Sequence, residues 1–98
     1  MEELRQEALE FVRIFQNLYL ERRDIQGLLA IMDQEVTWMG SGGMLHRHGR
    51  SEIGADLEAE LREYPGPFLI TESKMDAIPL SADACLVTGQ LCARPVEG

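Results

Sequence analysis

The segment from Asp33 to Ile53 limits the possible folds of this chain more than any other part of it. Residues 35–39 contain the β-forming sequence Val-Thr-Trp, and the glycine-rich residues 40–43 predict a turn. Residues 44–48 then predict the returning strand of a hairpin. Ser51 is the predicted N-cap of the helix that follows, with Glu52 in its first turn. The segment therefore predicts a β-hairpin that leads directly into a helix over about residues 51–63.

Two helical segments precede this hairpin. Apolar residues recur every three or four positions from Leu4 to Leu18, which predicts a first helix over about residues 2–22. Asp24 is the predicted N-cap of a short second helix that ends near Asp33. Both helices would turn an apolar face towards a shared core.

The last third of the chain predicts β-structure. Residues 68–80 and 84–94 form two long extended runs joined by a turn at residues 81–83. Both faces of the second run are partly apolar, which suits a curved sheet covered by helices on one side and by something else on the other. The order of elements predicts an α+β fold with one domain spanning residues 1–98.

Composition excludes several classes of partner. The chain has 17 acidic and 9 basic residues and a net charge of −8. This balance argues against binding to nucleic acid through phosphates and against binding to an anionic membrane surface. No apolar run reaches the roughly 18 residues that a membrane span needs. The N-terminal residues lack the basic and apolar regions of a secretory signal, so we predict a cytoplasmic location.

The two cysteines are predicted to be free, buried thiols. Cys85 and Cys92 lie on the same predicted strand. At the rise of an extended strand they would be about 23 Å apart, too far for a disulfide within the chain. A disulfide to a second chain is the alternative, which the cytoplasm disfavours.

Three short motifs carry a family resemblance. They are Arg23-Asp24-Ile25 at the second helix, Asp33-x-Glu-Val-Thr-Trp38 at the hairpin, and His48-Gly-Arg50 before the third helix. With the order of elements, they resemble the nuclear transport factor 2-like superfamily and, within it, the SnoaL-like and ketosteroid isomerase-like branch. The resemblance implies a strongly curved antiparallel sheet that wraps around the N-terminal helices to form a cone. The open mouth of such a cone holds a small apolar ligand.

The resemblance also bears on completeness and on catalysis. The family continues with another long hairpin after the strand at residues 84–94, so a chain ending at Gly98 is expected to be a truncated domain. The exposed edge of its last strand would be covered by pairing with a second chain in a homodimer. Met39 falls where the enzymes of this branch have a carboxylate base, and Gln16 falls near their helical tyrosine, an oxyanion donor. A thioether accepts no proton at neutral pH, so the resemblance carries over no catalytic residue.

A cavity in the cone would be lined by apolar and aromatic side chains. Trp38, the only tryptophan, suits a ligand with an apolar ring and a polar edge. The alternatives are sheet core or a dimer contact for Trp38 and plain core packing for the other apolar residues. Strand alternation places Trp38 and Met39 on opposite faces, so at most one of them would point into the cone. The predicted ligand-binding residues are Phe15, Tyr19, Trp38, Met39, Met44 and His46.

His46 and His48 share one face of the predicted second strand. Two imidazoles are compatible with a metal site completed by Glu35, with a base near neutral pH, or with solvated side chains. No motif specifies a third metal ligand, and the cysteines lack zinc-ligand spacing. The glycine turn lacks the lysine of a phosphate-binding loop. We therefore predict neither a metal nor a cofactor.

The sequence predicts a non-catalytic domain that binds or senses a small apolar molecule and forms a homodimer. One alternative is an isomerase, cyclase or dehydratase that acts on a small apolar carbonyl compound with a histidine base. The other is a dimerisation module whose cone is filled by side chains and binds no ligand.

Overall fold

The computed structural model describes residues 2–39 and 46–96. The helices in these residues are α1 (Glu2–Gln16), a π-helical turn (Asn17–Glu21), α2 (Ile25–Ala30) and α3 (Arg50–Glu63). The strands are β1 (Thr37–Trp38), β2 (Arg47–His48), β3 (Phe68–Ser81) and β4 (Ala84–Pro95). The predicted α+β class is confirmed.

The end of the first helical segment differs from the prediction. The sequence predicts a regular helix to about residue 22, whereas α1 gives way to the wider π-helical turn after Gln16. The amide of Arg22 donates to the carbonyl of Asn17 (2.8 Å), which is the i→i+5 bond of a π-helix. Arg23 then adopts a left-handed conformation with φ of 53°. A residue in this conformation ends the helix and reverses the chain, a position that usually holds glycine.

The beginnings of α2 and α3 test two capping predictions. The carboxylate of Asp24 accepts a hydrogen bond from the amide of Gly27 (3.0 Å), so the predicted cap of α2 is confirmed. The predicted cap of α3 at Ser51 is wrong, because Gly49 is the N-cap and Ser51 lies inside the helix. Gly49 has φ of 88°, which a residue with a Cβ rarely adopts, and this lets the chain pass directly from β2 into α3.

The hydrophobic core lies among the helices. α2 packs against α3 and the π-helical turn, while α1 lies on β3 and β4. Polar contacts also join α1 to β3, because Ser73 donates to the buried side-chain oxygen of Gln16 (3.0 Å) and Arg5 donates to the carbonyl of Ala77 (3.0 Å). The buried apolar cluster consists of Leu18, Ile25, Leu28, Met32, Ile53 and Leu57.

The strands form two separate sheets in the described part of the chain. β1 pairs with β2, and β3 pairs with β4, both antiparallel. The sequence predicts one strongly curved sheet, but the short hairpin makes only two residue pairs and does not join the long one. Both cysteines are free, as predicted, but they are not buried: Cys85 is half-buried and Cys92 is exposed. Within residues 2–39 and 46–96, no helix has the length and apolar character needed to cross a membrane.

Candidate functional site

An open groove of about 450 Å³ lies between α1 and the segment that connects α2 to β1. We call it the apolar groove. Its volume is within the range of small-molecule sites, roughly 300–1,000 Å³. The lining residues are Phe11, Phe15, Ile31, Met32, Asp33, Val36, Thr37, Trp38 and Met39. A larger cavity, about 540 Å³, lies at the start of α3 and is lined by none of the six predicted ligand-binding residues.

Three aromatic rings pack together at the base of the apolar groove. The rings of Phe15 and Trp38 are stacked, with centroids 5.8 Å apart and planes at 26°. Tyr19 meets Trp38 edge to face, with centroids 5.7 Å apart. Such aromatic pairs add about 0.5–1.5 kcal/mol beyond the burial of their area. Neighbours on two sides therefore hold the indole, and the structure brings together three of the residues that the sequence predicts as ligand contacts.

Tyr19 supports this wall but does not line the groove. Its hydroxyl donates a hydrogen bond to Oε1 of Glu60 on α3 (2.7 Å). Burial, followed by this hydrogen bond to a carboxylate, raises the pKa of Tyr19 well above its ordinary value. The phenol therefore stays protonated at neutral pH and links the aromatic cluster to α3.

A buried arginine, which sequence reasoning missed as a site residue, fixes the other side of Tyr19. Arg23 is 8% exposed, and its guanidinium donates to the carbonyls of Tyr19 (2.9 Å) and Tyr64 (2.8 Å). The same group lies over the rings of Tyr19 and Phe68, at 5.7 and 5.3 Å from their centroids. One side chain thus connects the π-helical turn, the end of α3 and the start of β3. The Arg-Asp-Ile motif contained this residue, but nothing local in it reveals that the guanidinium is buried.

Met39 and Trp38 both line the apolar groove, whereas strand alternation predicts that at most one of them points into a cone. Strand alternation does not extend to Met39, because β1 ends at Trp38. The thioether side chain is 80% exposed at the rim. Met44, another predicted ligand contact, lies outside the described residues.

Neither histidine is among the described residues that line the groove. His46 is exposed and is not one of the lining residues. Nε2 of His48 lies 3.0 Å from a carboxylate oxygen of Glu35, and Nδ1 lies 3.3 Å from the hydroxyl of Thr37. In the register of β1 and β2, His48 pairs with Thr37, and Glu35 reaches the imidazole from two positions before that pair. Within the described residues, no three histidine, cysteine or acidic side chains are placed to hold a metal ion.

Few of the described residues that line the groove are polar. Among the described lining residues, Asp33 is the only one that ionises. Its Oδ1 accepts a hydrogen bond from the amide of Glu35 (2.8 Å), which fixes the carboxylate at the start of the turn into β1. Gln16, which the resemblance aligns with an oxyanion donor, is buried against Ser73 and does not line the groove. The described lining residues can thus surround an apolar molecule, but they include no pair of acid and base groups.

Several lining residues were not predicted as contacts. Phe11 belongs to the apolar stripe of the first helix, which is the one signal that could have indicated it. Ile31 and Val36 come from the segment between α2 and β1, whose path only the tertiary structure defines. Comparison of the chain with models of protein families, with curated proteins and with solved structures gave no match.

Proposed function

We propose that this chain is a non-catalytic domain that binds a small apolar molecule in the apolar groove. The observation that carries the proposal is an open groove with a stacked pair, Phe15 and Trp38, in its wall. Seven of the nine described residues that line it are apolar or aromatic, as in most small-molecule sites. Contacts from Tyr19 hold Trp38 in place before any ligand binds, which lowers the entropic cost of binding.

We further propose that the domain is a SnoaL-like member of the nuclear transport factor 2-like superfamily, with a cone-like sheet completed on assembly. The order of helices, short hairpin, helix and long hairpin supports this assignment. β4 has no partner on its other edge within the described residues, and a second copy of the chain would satisfy that edge in a homodimer. Light scattering coupled to size-exclusion chromatography tests the dimer, and a mass of one chain would contradict it.

The absence of catalysis is part of the same proposal. Met39 lines the groove at the position that the resemblance assigns to a carboxylate base, and a thioether has no basic function at neutral pH. One observation favours a second candidate, an isomerase with a histidine base. Thr37 lines the groove, and its hydroxyl contacts His48. Conversion of 3-cyclohexen-1-one to its conjugated isomer, lost in His48→Gln, would support this candidate and contradict the first.

Binding can be tested with N-phenyl-1-naphthylamine, a neutral apolar probe that accepts energy from tryptophan. Trp38 is the only tryptophan in the chain, so transfer reports on probe bound within range of its indole, and variants of the groove must then locate that probe. We expect saturable transfer in the wild type. Phe11→Glu places a charge in the groove, and losing the burial of one phenyl group should weaken binding by roughly tenfold or more.

Ile14→Glu is the matched control for this variant. Ile14 also lies on α1, is 40% exposed against 45% for Phe11, and does not line the groove. The control adds the same charge to the same helix, so it should bind the probe like the wild type. Transfer that does not saturate in the wild type, or that weakens equally in both variants, would exclude the apolar groove as the site.

A further inference from the structure

We infer that the apolar groove prefers small organic cations, in which an ammonium group is attached to an apolar body. The inference rests on the proposed function, because it names the class of ligand for the same groove. The family resemblance leads one to expect a small apolar ligand, and the enzymatic alternative a carbonyl compound. The charges around the groove point to a different class.

The charge among the described residues that line the groove is negative. Asp33 is the only ionisable group among its described lining residues, and no described basic residue lines it. One oxygen of Asp33 accepts the amide of Glu35, and within the described residues its other oxygen has no hydrogen-bond or ion-pair partner. A cation beside this carboxylate would gain an ion pair, whereas an anion would be repelled.

Three of the described residues that line the groove are aromatic. Phe11, Phe15 and Trp38 present aromatic side chains to the same cavity that Asp33 lines. The faces of aromatic rings carry partial negative charge and attract ammonium groups, most strongly for tryptophan. Aromatic residues and a carboxylate residue that line one groove therefore supply both kinds of group that usually contact an organic cation.

The net charge of the whole chain also favours cations near the protein. A net charge of −8 raises the local concentration of cations around the protein and lowers that of anions. This long-range effect acts on every cation and does not select the groove. The test must therefore separate the contribution of Asp33 from that of the general field.

The test uses three ligands with the same aromatic body: (naphthalen-2-ylmethyl)trimethylammonium, its neutral carbon isostere 2-neopentylnaphthalene, and the anion 2-naphthylacetate. Trp38 is the only tryptophan, so the labelled protein gives one indole N–H cross-peak, whose shift measures binding at the groove. We expect the anion to bind most weakly. In Asp33→Asn, the affinity for the ammonium should fall by about three- to tenfold, while the affinity for the neutral isostere stays unchanged.

Glu35→Gln is the matched control. Glu35 lies two positions further along, its side chain is 80% exposed, and it does not line the groove. Its removal changes the general field by the same charge, so the ammonium should lose less than about twofold in affinity. Asparagine at position 33 still accepts the amide of residue 35, so the turn is preserved in the test variant.

The outcomes separate this inference from the proposed function. If the ammonium and the neutral isostere lose affinity equally in Asp33→Asn, or if Glu35→Gln has the same effect as Asp33→Asn, the cation preference is overturned while the groove remains a binding site. If no ligand shifts the Trp38 cross-peak, both the inference and the proposed function fail.

Discussion

Arg23 offers a sharp test of how the wall of the groove is held. It is the only non-glycine residue with positive φ in the described part of the chain, and its side chain is nearly buried. Replacing it with alanine removes the guanidinium but leaves a Cβ in the left-handed conformation. Replacing it with glycine removes the guanidinium and also the steric cost of that conformation.

The expected magnitudes follow from the contacts. The guanidinium donates to the carbonyls of Tyr19 and Tyr64, and hydrogen bonds from a charged donor contribute about 1.5–3 kcal/mol each. The buried Nε has no hydrogen-bond partner among residues 2–39 and 46–96, and its removal recovers about 1–3 kcal/mol of desolvation. We therefore expect Arg23→Ala to lower the free energy of unfolding by about 2–4 kcal/mol, a large part of the total for a small domain. Arg23→Gly should be about 1 kcal/mol more stable than Arg23→Ala.

Urea unfolding followed by far-UV circular dichroism measures these differences. Arg22 is the matched control, because it is exposed and has ordinary helical angles of φ −90° and ψ −20°. At position 22 the glycine variant should be the less stable of the two, with Arg22→Gly about 0.5–1 kcal/mol less stable than Arg22→Ala. The reasoning is refuted if Arg23→Ala is as stable as the wild type, or if alanine is more stable than glycine at both positions.

Two further predictions concern Tyr19 and the long hairpin. Burial and the hydrogen bond to Glu60 raise the pKa of Tyr19 in the folded state. The stability that the protonated phenol contributes is therefore complete below its unfolded pKa of about 10 and is lost as the pH rises beyond that value. The drop in unfolding free energy between pH 9 and pH 11 should be smaller in Tyr19→Phe, and an equal drop would contradict the raised pKa of Tyr19. In Gly89→Ala, a Cβ would lie 2.0 Å from the carbonyl oxygen of Lys74 on the paired strand. The free energy of unfolding should therefore fall by about 1–3 kcal/mol, and the melting temperature by several degrees or more. Gly66→Ala, whose Cβ would meet nothing within 4 Å, should leave it unchanged, and equal melting temperatures for both variants would show that the strands separate easily at this point.

Local chemistry explains why most elements could be predicted from the amino-acid sequence. The carboxylate of Asp24 caps α2 three residues away, and the Tyr-Pro-Gly-Pro sequence at residues 64–67 ends α3 at Glu63, within a residue of its predicted end. Both effects act over a few residues, so the sequence contains all the information they need. The two long strands also lie within one residue of their predicted bounds.

The groove and its supports depend on contacts between residues far apart in the chain. The hydroxyl of Tyr19 binds Glu60, and Arg23 binds the carbonyl of Tyr64, each across 41 residues. Such pairs have no sequence pattern, because spacing along the chain does not determine which distant backbone groups meet. The same applies to Met39, whose side chain joins Trp38 at the groove only because the strand ends between them. Short-range capping and periodicity thus determined the elements, whereas long-range packing of buried polar and aromatic groups decided where a ligand can bind.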